Sequence, residues 1–212
     1  MFNSGHPRLL DLFCGVGGAA MGYHRAGFEV VGVDHKPQPR FPFELHCDDA
    51  FAYLEKHGHE FDAIHASPPC QAYSVTKNAH PTEAYPDLLP ITLHILSAIQ
   101  TPWVVENVPG SPIKAALLLC GTMFGLRIKR HRYFQTNWPL PALAPASCNH
   151  SELLDMYSSG ASRNGTERQY CDEMGITWAP VRYGNRRYAA TQSIPPAYTE
   201  FIGRQLMRIV RP

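Results

Sequence analysis

Cys70 and Glu106 are the pair in this chain whose types and settings could combine nucleophilic with acid–base chemistry. The thiol closes the run Ser67-Pro68-Pro69-Cys70-Gln71, which follows an apolar stretch at residues 61–66 that reads as a buried strand. Two prolines stiffen that approach and set where the thiol points. In an open α/β sheet the position lies beyond the carboxyl end of a strand, where such sheets bind ligands. Glu106 follows a second short β-rich run at residues 103–105, beside Asn107 and Pro109. A strand interior is a poor place for an acid. A thiolate is a nucleophile, and a carboxylic acid kept protonated by burial is a proton donor. The competing reading of Cys70 is a small buried side chain after a proline turn, the usual role of a free cysteine. A carboxylate at a neighbouring strand end favours chemistry.

A second constellation lies near the start of the chain. Asp11-Leu12-Phe13-Cys14-Gly15-Val16-Gly17-Gly18 puts small residues where a backbone passes close to a ligand at a helix N-terminus. Asp34 follows about 20 residues later at the end of a β-rich run, where an acid accepts hydrogen bonds from ribose hydroxyls. Asp49 precedes a further helix and is placed to hold an adenine amino group. A glycine turn alone also fits a structural turn or a dinucleotide site.

Taken together and in order, these runs resemble the DNA cytosine methyltransferases that act at carbon 5 of the base. The glycine turn resembles that family's cofactor motif, and Pro68-Pro69-Cys70-Gln71 with Ser74 resembles its nucleophile loop. Glu106-Asn107-Val108 matches the glutamate motif, and Arg130-His131-Arg132 the end of the arginine motif. Gln192-Ser193-Ile194-Pro195 with Ile202-Gly203 resembles the closing motif. Two positions depart: Ile128 stands where the family usually has glutamine, and Gln192 where it usually has asparagine. The Ser-Pro-Pro form is shared with amino-directed methyltransferases, whose motif ends in an aromatic where this chain has Cys70.

The resemblance implies a Rossmann-like α/β fold that uses S-adenosylmethionine, with Cys70, Glu106, Arg130 and Arg132 catalytic. Cys70 would add to carbon 6 of cytosine and so activate carbon 5. Glu106 would hold ring nitrogen 3 and the amino group, Arg132 the base's carbonyl oxygen, and Arg130 would support the loop. Asp11, Phe13, Gly15, Gly17, Gly18, Asp34, His35, Asp49, Ala50, Pro69 and Leu89 fall at the cofactor positions. Gln71, Ser74, Arg163, Arg182, Arg186 and Arg187 are the expected nucleic-acid contacts. The expected substrate is DNA, with the target base flipped from the stack. The tRNA-methylating branch shares Ser-Pro-Pro-Cys-Gln, which keeps RNA open. A catalytically silent DNA-binding relative would need neither Cys70 nor Glu106, and a nicotinamide dehydrogenase finds support only in the glycine turn.

The elements that must position these residues follow from hydrophobic patterning. Strands are expected at residues 8–13, 28–33, 61–66 and 103–105 and around Tyr133 and Phe134. Helices are expected at residues 19–26, 51–56, 88–99 and 197–209. The expected catalytic unit comprises residues 1–137 and 189–212. Residues 138–188 are richer in proline, serine, asparagine and arginine and form an expected irregular target-recognition segment. There, arginines suit phosphates and guanine edges, and Tyr157, Tyr170, Trp178 and Tyr183 suit stacking on bases. The interleaved acids Glu152, Asp155, Glu167, Asp172 and Glu173 fit a solvated surface equally well. The segment is small for the family, and compact chains of this kind resemble methyltransferases of bacteriophages and mobile elements.

Composition sets the outer bounds. At 212 residues with 44% hydrophobic content, one core with a modest appendage is expected. A formal net charge of +1 leaves any polyanion contact to local basic clusters. The 6 cysteines lack paired spacing and read as reduced thiols of an intracellular protein. Cys148, His150 and Cys171 offer three metal-ligand types in no common zinc spacing, so no metal site is expected. No signal segment or membrane-length apolar run is apparent, and a cytoplasmic monomer in a bacterial or phage-infected cell is the expectation.

Overall fold

Short apolar runs that alternate with small-residue helices build a parallel sheet covered on both faces. The computed structural model describes residues 5–70, 73, 86–114, 117–140, 147–151, 153–154, 167–179 and 193–211. Its strands are β1 (Arg8–Leu12), β2 (Glu29–Asp34), β3 (Glu44–Cys47), β4 (Ala63–Ala66), β5 (Trp103–Asn107), β6 (Leu117–Leu119) and β7 (Arg132–Thr136). Among the described residues they form one seven-stranded sheet in the order β3-β2-β1-β4-β5-β7-β6. The first five in that order run parallel, and β7 is antiparallel to both β5 and β6.

The period-two alternation of the strands separates two cores. Leu9, Val30, Ala63 and Val104 face α1 (Gly18–Arg25) and the C-terminal helix, packing with Tyr23, Tyr198 and Ile202. Leu10, Val31, Ile64 and Val105 face the opposite side, with Leu54 of α2 (Ala50–His57) and Leu89 and Leu96 of α3 (Leu89–Ser97). A third, smaller cluster joins Ile128 to Tyr170, Cys171, Met174 and Ile176, around α4 (Glu167–Glu173). The departure at Ile128 therefore has a physical use: it is a fully buried core residue.

The strands and helices expected from patterning are present, with ends shifted by a few residues. Three elements were not anticipated. β3 is a half-exposed edge strand with little apolar signal, β6 has three residues, and α4 lies in a stretch expected to be irregular. No described helix is long and apolar enough to cross a membrane.

The C-terminal helix α5 (Pro196–Val210) rests on α1 through two glycines one turn apart. A methyl on Gly18 would collide with Ser193 and the Ile194 carbonyl, and one on Gly22 with Thr199 and the Pro196 carbonyl. The close approach lets the Thr199 hydroxyl donate to the Ala19 carbonyl at 2.9 Å. Gly22→Ala gains about 1 kcal/mol of helix propensity but forces a backbone apart, for a net loss of about 2 kcal/mol. That loss should lower the melting temperature by roughly 4–8 °C. An unchanged melting curve would show that α1 and α5 do not pack this closely.

Candidate active site

The parallel register brings four chain reversals to one edge of the sheet. Leu12 pairs with Val33 and with Ala66, and Ala66 pairs with Val105. The glycine turn, Asp34, the Ser67–Cys70 run and Glu106 therefore emerge side by side. β7 runs the other way, with Tyr133 opposite Asn107, so Arg132 at its start reaches the same edge.

The glycine turn is held by Asp34. Its Oδ2 accepts from the Gly15 amide at 3.0 Å, and its Oδ1 from the Lys36 amide at 2.9 Å. Gly15 (φ 51°) and Gly17 (φ 87°) are left-handed, and so is Phe13 at φ 60°. A bulky residue rarely adopts that conformation, which costs of order 1–3 kcal/mol and persists where surroundings impose it. The Phe13 ring meets Phe51 edge-on at 5.8 Å between centroids. The N-terminus of α1 has no side-chain cap, so its first amides remain available to an anionic group. Asp49 caps α2 through Oδ1, which accepts from the Phe51 and Ala52 amides at 2.9 Å each; Oδ2 remains as an acceptor. His35 is exposed beside Asp34, and Ala50 is buried at the start of α2.

Asp11 and Leu89 have no exposed surface, so they stand behind the site and not in contact with a ligand. Neither Asp11 carboxylate oxygen has a well-formed hydrogen bond among the described residues. Burial first and the Asp34 charge second push its carboxyl well above the usual range, against the Ala20 amide. An uncapped helix N-terminus and a free acceptor on Asp49 suit a ligand with a carboxylate and an adenine amino group. That donor and acceptor set fits S-adenosylmethionine.

At the other end of the edge, Pro69 and Cys70 are half-buried and Glu106 is buried. Glu106 Oε1 lies 2.8 Å from Arg132 Nε, and the Ser67 hydroxyl donates to the same carboxylate. Burial raises the Glu106 carboxyl above its ordinary value, with Arg132 and then Arg130 opposing the shift. Burial also raises the Cys70 thiol, with Arg132 the largest opposing influence and Glu106 adding to the rise. Arg130 is buried: Nη1 donates to the Tyr170 hydroxyl at 3.3 Å, while Nε and Nη2 have no partner among the described residues. One edge thus holds a protonated thiol, a carboxyl biased toward its acid form and a guanidinium with unused donors.

A model of the C-5 cytosine-specific DNA methylase family matches residues 8–111 of the chain. The Type II methyltransferase M.HgiGI of Herpetosiphon aurantiacus is 32% identical in an alignment 115 residues long that covers 48% of this chain and 90% of that relative. The chain belongs to the C-5 cytosine-specific DNA methylase family. M.HgiDI of the same organism is 33% identical over 115 residues, but the chain spans only 37% of its length. Among solved structures, Entamoeba histolytica methyltransferase EhMeth aligns over 98% of this chain and 99% of its own, with TM-score 0.70 and 12% identity. The S. pombe Dnmt2 methyltransferase aligns over 98% and 100%, with TM-score 0.67 and 13% identity. These likenesses establish the S-adenosylmethionine-dependent methyltransferase fold.

Sequence reasoning missed two supports of this sheet edge. Asn107 Nδ2 donates to the Pro68 carbonyl at 3.1 Å and its Oδ1 accepts from the Val108 amide, tying the cysteine loop to β5. His65 Nδ1 hydrogen-bonds the Tyr23 hydroxyl at 3.0 Å, and its Nε2 hydrogen-bonds Ser67 Oγ at 2.8 Å. The period-two alternation of β4 hid this chain, because His65 occupies a wholly buried strand position.

The recognition segment departs from expectation where it is described. Tyr170 is buried against Arg130, and the Trp178 indole donates to the Val16 carbonyl at 2.8 Å, so neither is an open stacking platform. Arg168 pairs with Asp172 at 3.5 Å. Cys171 packs in the third core cluster, apart from Cys148 and His150. Gln71, Ser74, Tyr157, Arg163, Arg182, Tyr183, Arg186, Arg187 and Gln192 lie outside the described residues.

Complete burial pushes the His65 imidazole down to about 3 from 6.5. Protonation therefore favours the unfolded chain: this stability is fully present above pH 6.5 and lost as pH falls toward 3. The loss reaches about 2 kcal/mol by pH 5. In urea unfolding, the drop in stability from pH 7 to pH 5 should shrink by about that amount in His65→Gln. An identical drop in both proteins would mean that His65 is not buried neutral.

Proposed function

We propose that this chain methylates carbon 5 of cytosine in DNA through a covalent adduct with Cys70. The observation that carries the reading is the convergence of Cys70, Glu106, Arg130 and Arg132 on one sheet edge, where the two arginines oppose the rise that burial imposes on the thiol and the carboxyl. The family relationship and the Type II methyltransferase relatives support DNA as the polymer.

Carbon 5 of cytosine is a weak nucleophile. Addition of the Cys70 thiolate to carbon 6 forms an S–C bond and makes the ring enamine-like, while Glu106 gives a proton to ring nitrogen 3. Arg132 aligns the Glu106 carboxyl and is placed to bind the base's carbonyl oxygen; the unused donors of Arg130 add positive field at the same edge. S-adenosylmethionine supplies an electrophilic methyl on a sulfonium centre. The glycine turn, Asp34 and Asp49 would hold its amino-acid, ribose and adenine parts, with Asp11 behind them. After transfer, the carbon-5 proton passes to solvent as the Cys70 thiolate leaves, and ring nitrogen 3 returns its proton to Glu106, which restores the neutral aromatic ring. The base must leave the helix to reach this edge, at a cost of a few kcal/mol. Residues 138–188 would form the recognition segment.

DNA containing 5-fluorocytosine should trap wild-type protein in a complex that survives denaturation, because fluorine at carbon 5 cannot leave as a proton does. Cys70→Ala should neither trap nor methylate. Nucleoside mass spectrometry of DNA and RNA from expressing cells should find 5-methylcytosine in DNA; its appearance only in RNA would reassign the substrate. Full activity in Cys70→Ala would overturn the mechanism.

The pH profile provides a separate test. The reactive form carries a Cys70 thiolate with a Glu106 acid, whereas the thiol is the weaker acid of the two. Between their two pKa values that form is a constant minor fraction, giving kcat/KM a plateau. The acid limb follows Glu106, above the ordinary carboxylate range, and the alkaline limb follows Cys70, above the ordinary thiol range. In Glu106→Gln the plateau should vanish, residual activity rising with pH until Cys70 ionises. An unchanged plateau in that variant would remove Glu106 from the proton inventory.

A further inference from the structure

Behind the arginine loop, four metal-ligand side chains from separate parts of the chain meet. Cys120 follows β6, His131 immediately precedes β7, and Cys148 and His150 flank Asn149 within residues 138–188. Their ligand atoms all lie within 4.8 Å of one another. Cys120 Sγ is 3.5 Å from His150 Nε2, and Cys148 Sγ is 3.9 Å from His131 Nε2. Tetrahedral zinc with its usual bond lengths sets sulfur and nitrogen ligands about 3.6 Å apart. Both cross-pairs match that spacing.

We infer that Cys120, His131, Cys148 and His150 form a structural zinc site. Two thiolates and two imidazoles make a closed tetrahedral set with no position left for water or substrate, which marks a structural and not a catalytic ion. Soft sulfur ligands in this geometry select zinc over magnesium or calcium. On binding, each thiol releases one proton to solvent, and the two thiolates balance the charge of the ion. The Thr122 hydroxyl donates to Cys120 Sγ at 3.5 Å, an outer contact of the kind that orients metal ligands.

The location gives the ion a task. Neighbouring residues of an extended chain point to opposite sides. Arg132 turns to Glu106 while His131 turns to Cys148. Zinc would therefore fasten the arginine loop from behind and bind it to the Cys148–His150 stretch. The sequence hides the site because Cys120 and His131 belong to the sheet, far along the chain from the Cys148–His150 pair.

The test measures metal on the purified full chain. Wild type, dialysed after purification, should carry one zinc per chain by inductively coupled plasma mass spectrometry. His150→Ala removes the most exposed ligand and so should still fold; it should lose at least the roughly 10–100-fold in zinc affinity that loss of an outer-contact partner costs. Cys148→Ser should do the same, and Cys47→Ser, an exposed thiol outside the cluster, should retain zinc. Cobalt added to metal-stripped wild type should give the visible bands of a tetrahedral ion with thiolate ligands, and zinc should raise its melting temperature. Metal-free wild type that takes up no cobalt, a Cys120–Cys148 disulfide, or zinc retained equally in His150→Ala and Cys148→Ser would overturn the assignment.

Discussion

The buried ion pair between Glu106 and Arg132 is the constraint around which the rest of this sheet edge is arranged. A carboxylate inside a strand loses its hydration, and one partner at 2.8 Å does not by itself restore what burial removes. The fold answers with further groups. Ser67 and Arg130 both oppose the rise that burial imposes on the carboxyl, and Ser67 is itself hydrogen-bonded to His65, which bonds Tyr23. Even so, burial remains the largest influence on Glu106. Burial and the two arginines thus act in opposite directions on the Glu106 carboxyl, and the net effect is a rise above its ordinary value. The antiparallel insertion of β7 beside β5 makes this possible, because only a strand running against its neighbour begins where β5 ends.

The cofactor end solves a different problem with the same edge. There the backbone must approach a ligand closely, so glycines and one strained phenylalanine replace charged side chains. The Asp34 carboxylate acts first on its own chain, holding Gly15 and Lys36, which makes the turn a preformed surface. Preorganisation of this kind lowers the ordering cost of binding. The packing of α5 against Gly18 and Gly22 extends the effect, since the helix that begins at the turn cannot shift without displacing the C-terminal helix.

How much of this was legible in the sequence depended on the range of the interaction. β1, α1, β2, β4 and β5 carry strong local patterns, and their chain reversals could be placed together because parallel sheets align strand ends. Cys70 and Glu106 follow from that alignment. β3 and β6 were not legible: one is an exposed edge with polar residues, and the other gains its pairing from β7. Asp11 and Leu89 looked like ligand contacts because they sit at the right positions along the chain, but strand pairing and helix packing enclose them. Tyr170 and Trp178 looked like stacking surfaces because aromatic residues among arginines have that use; whether a ring faces solvent is decided by long-range packing alone.

That long-range packing gives residues 167–179 a structural part in the site. Trp178 holds the Val16 carbonyl inside the glycine turn, and Tyr170 accepts from Arg130 in the arginine loop. The same short stretch receives the Arg127 amide and guanidinium on Glu173. Ile128, Met174 and Ile176 fill the space between these contacts as one apolar cluster. A ligand that orders the glycine turn and a base that engages Arg130 therefore act on opposite sides of a single packed unit. Packed clusters shift between discrete arrangements and do not deform freely. α4 and the residues after it thus connect the cofactor end of the edge to the end where the base would lie, through contacts no longer than a hydrogen bond or a van der Waals touch.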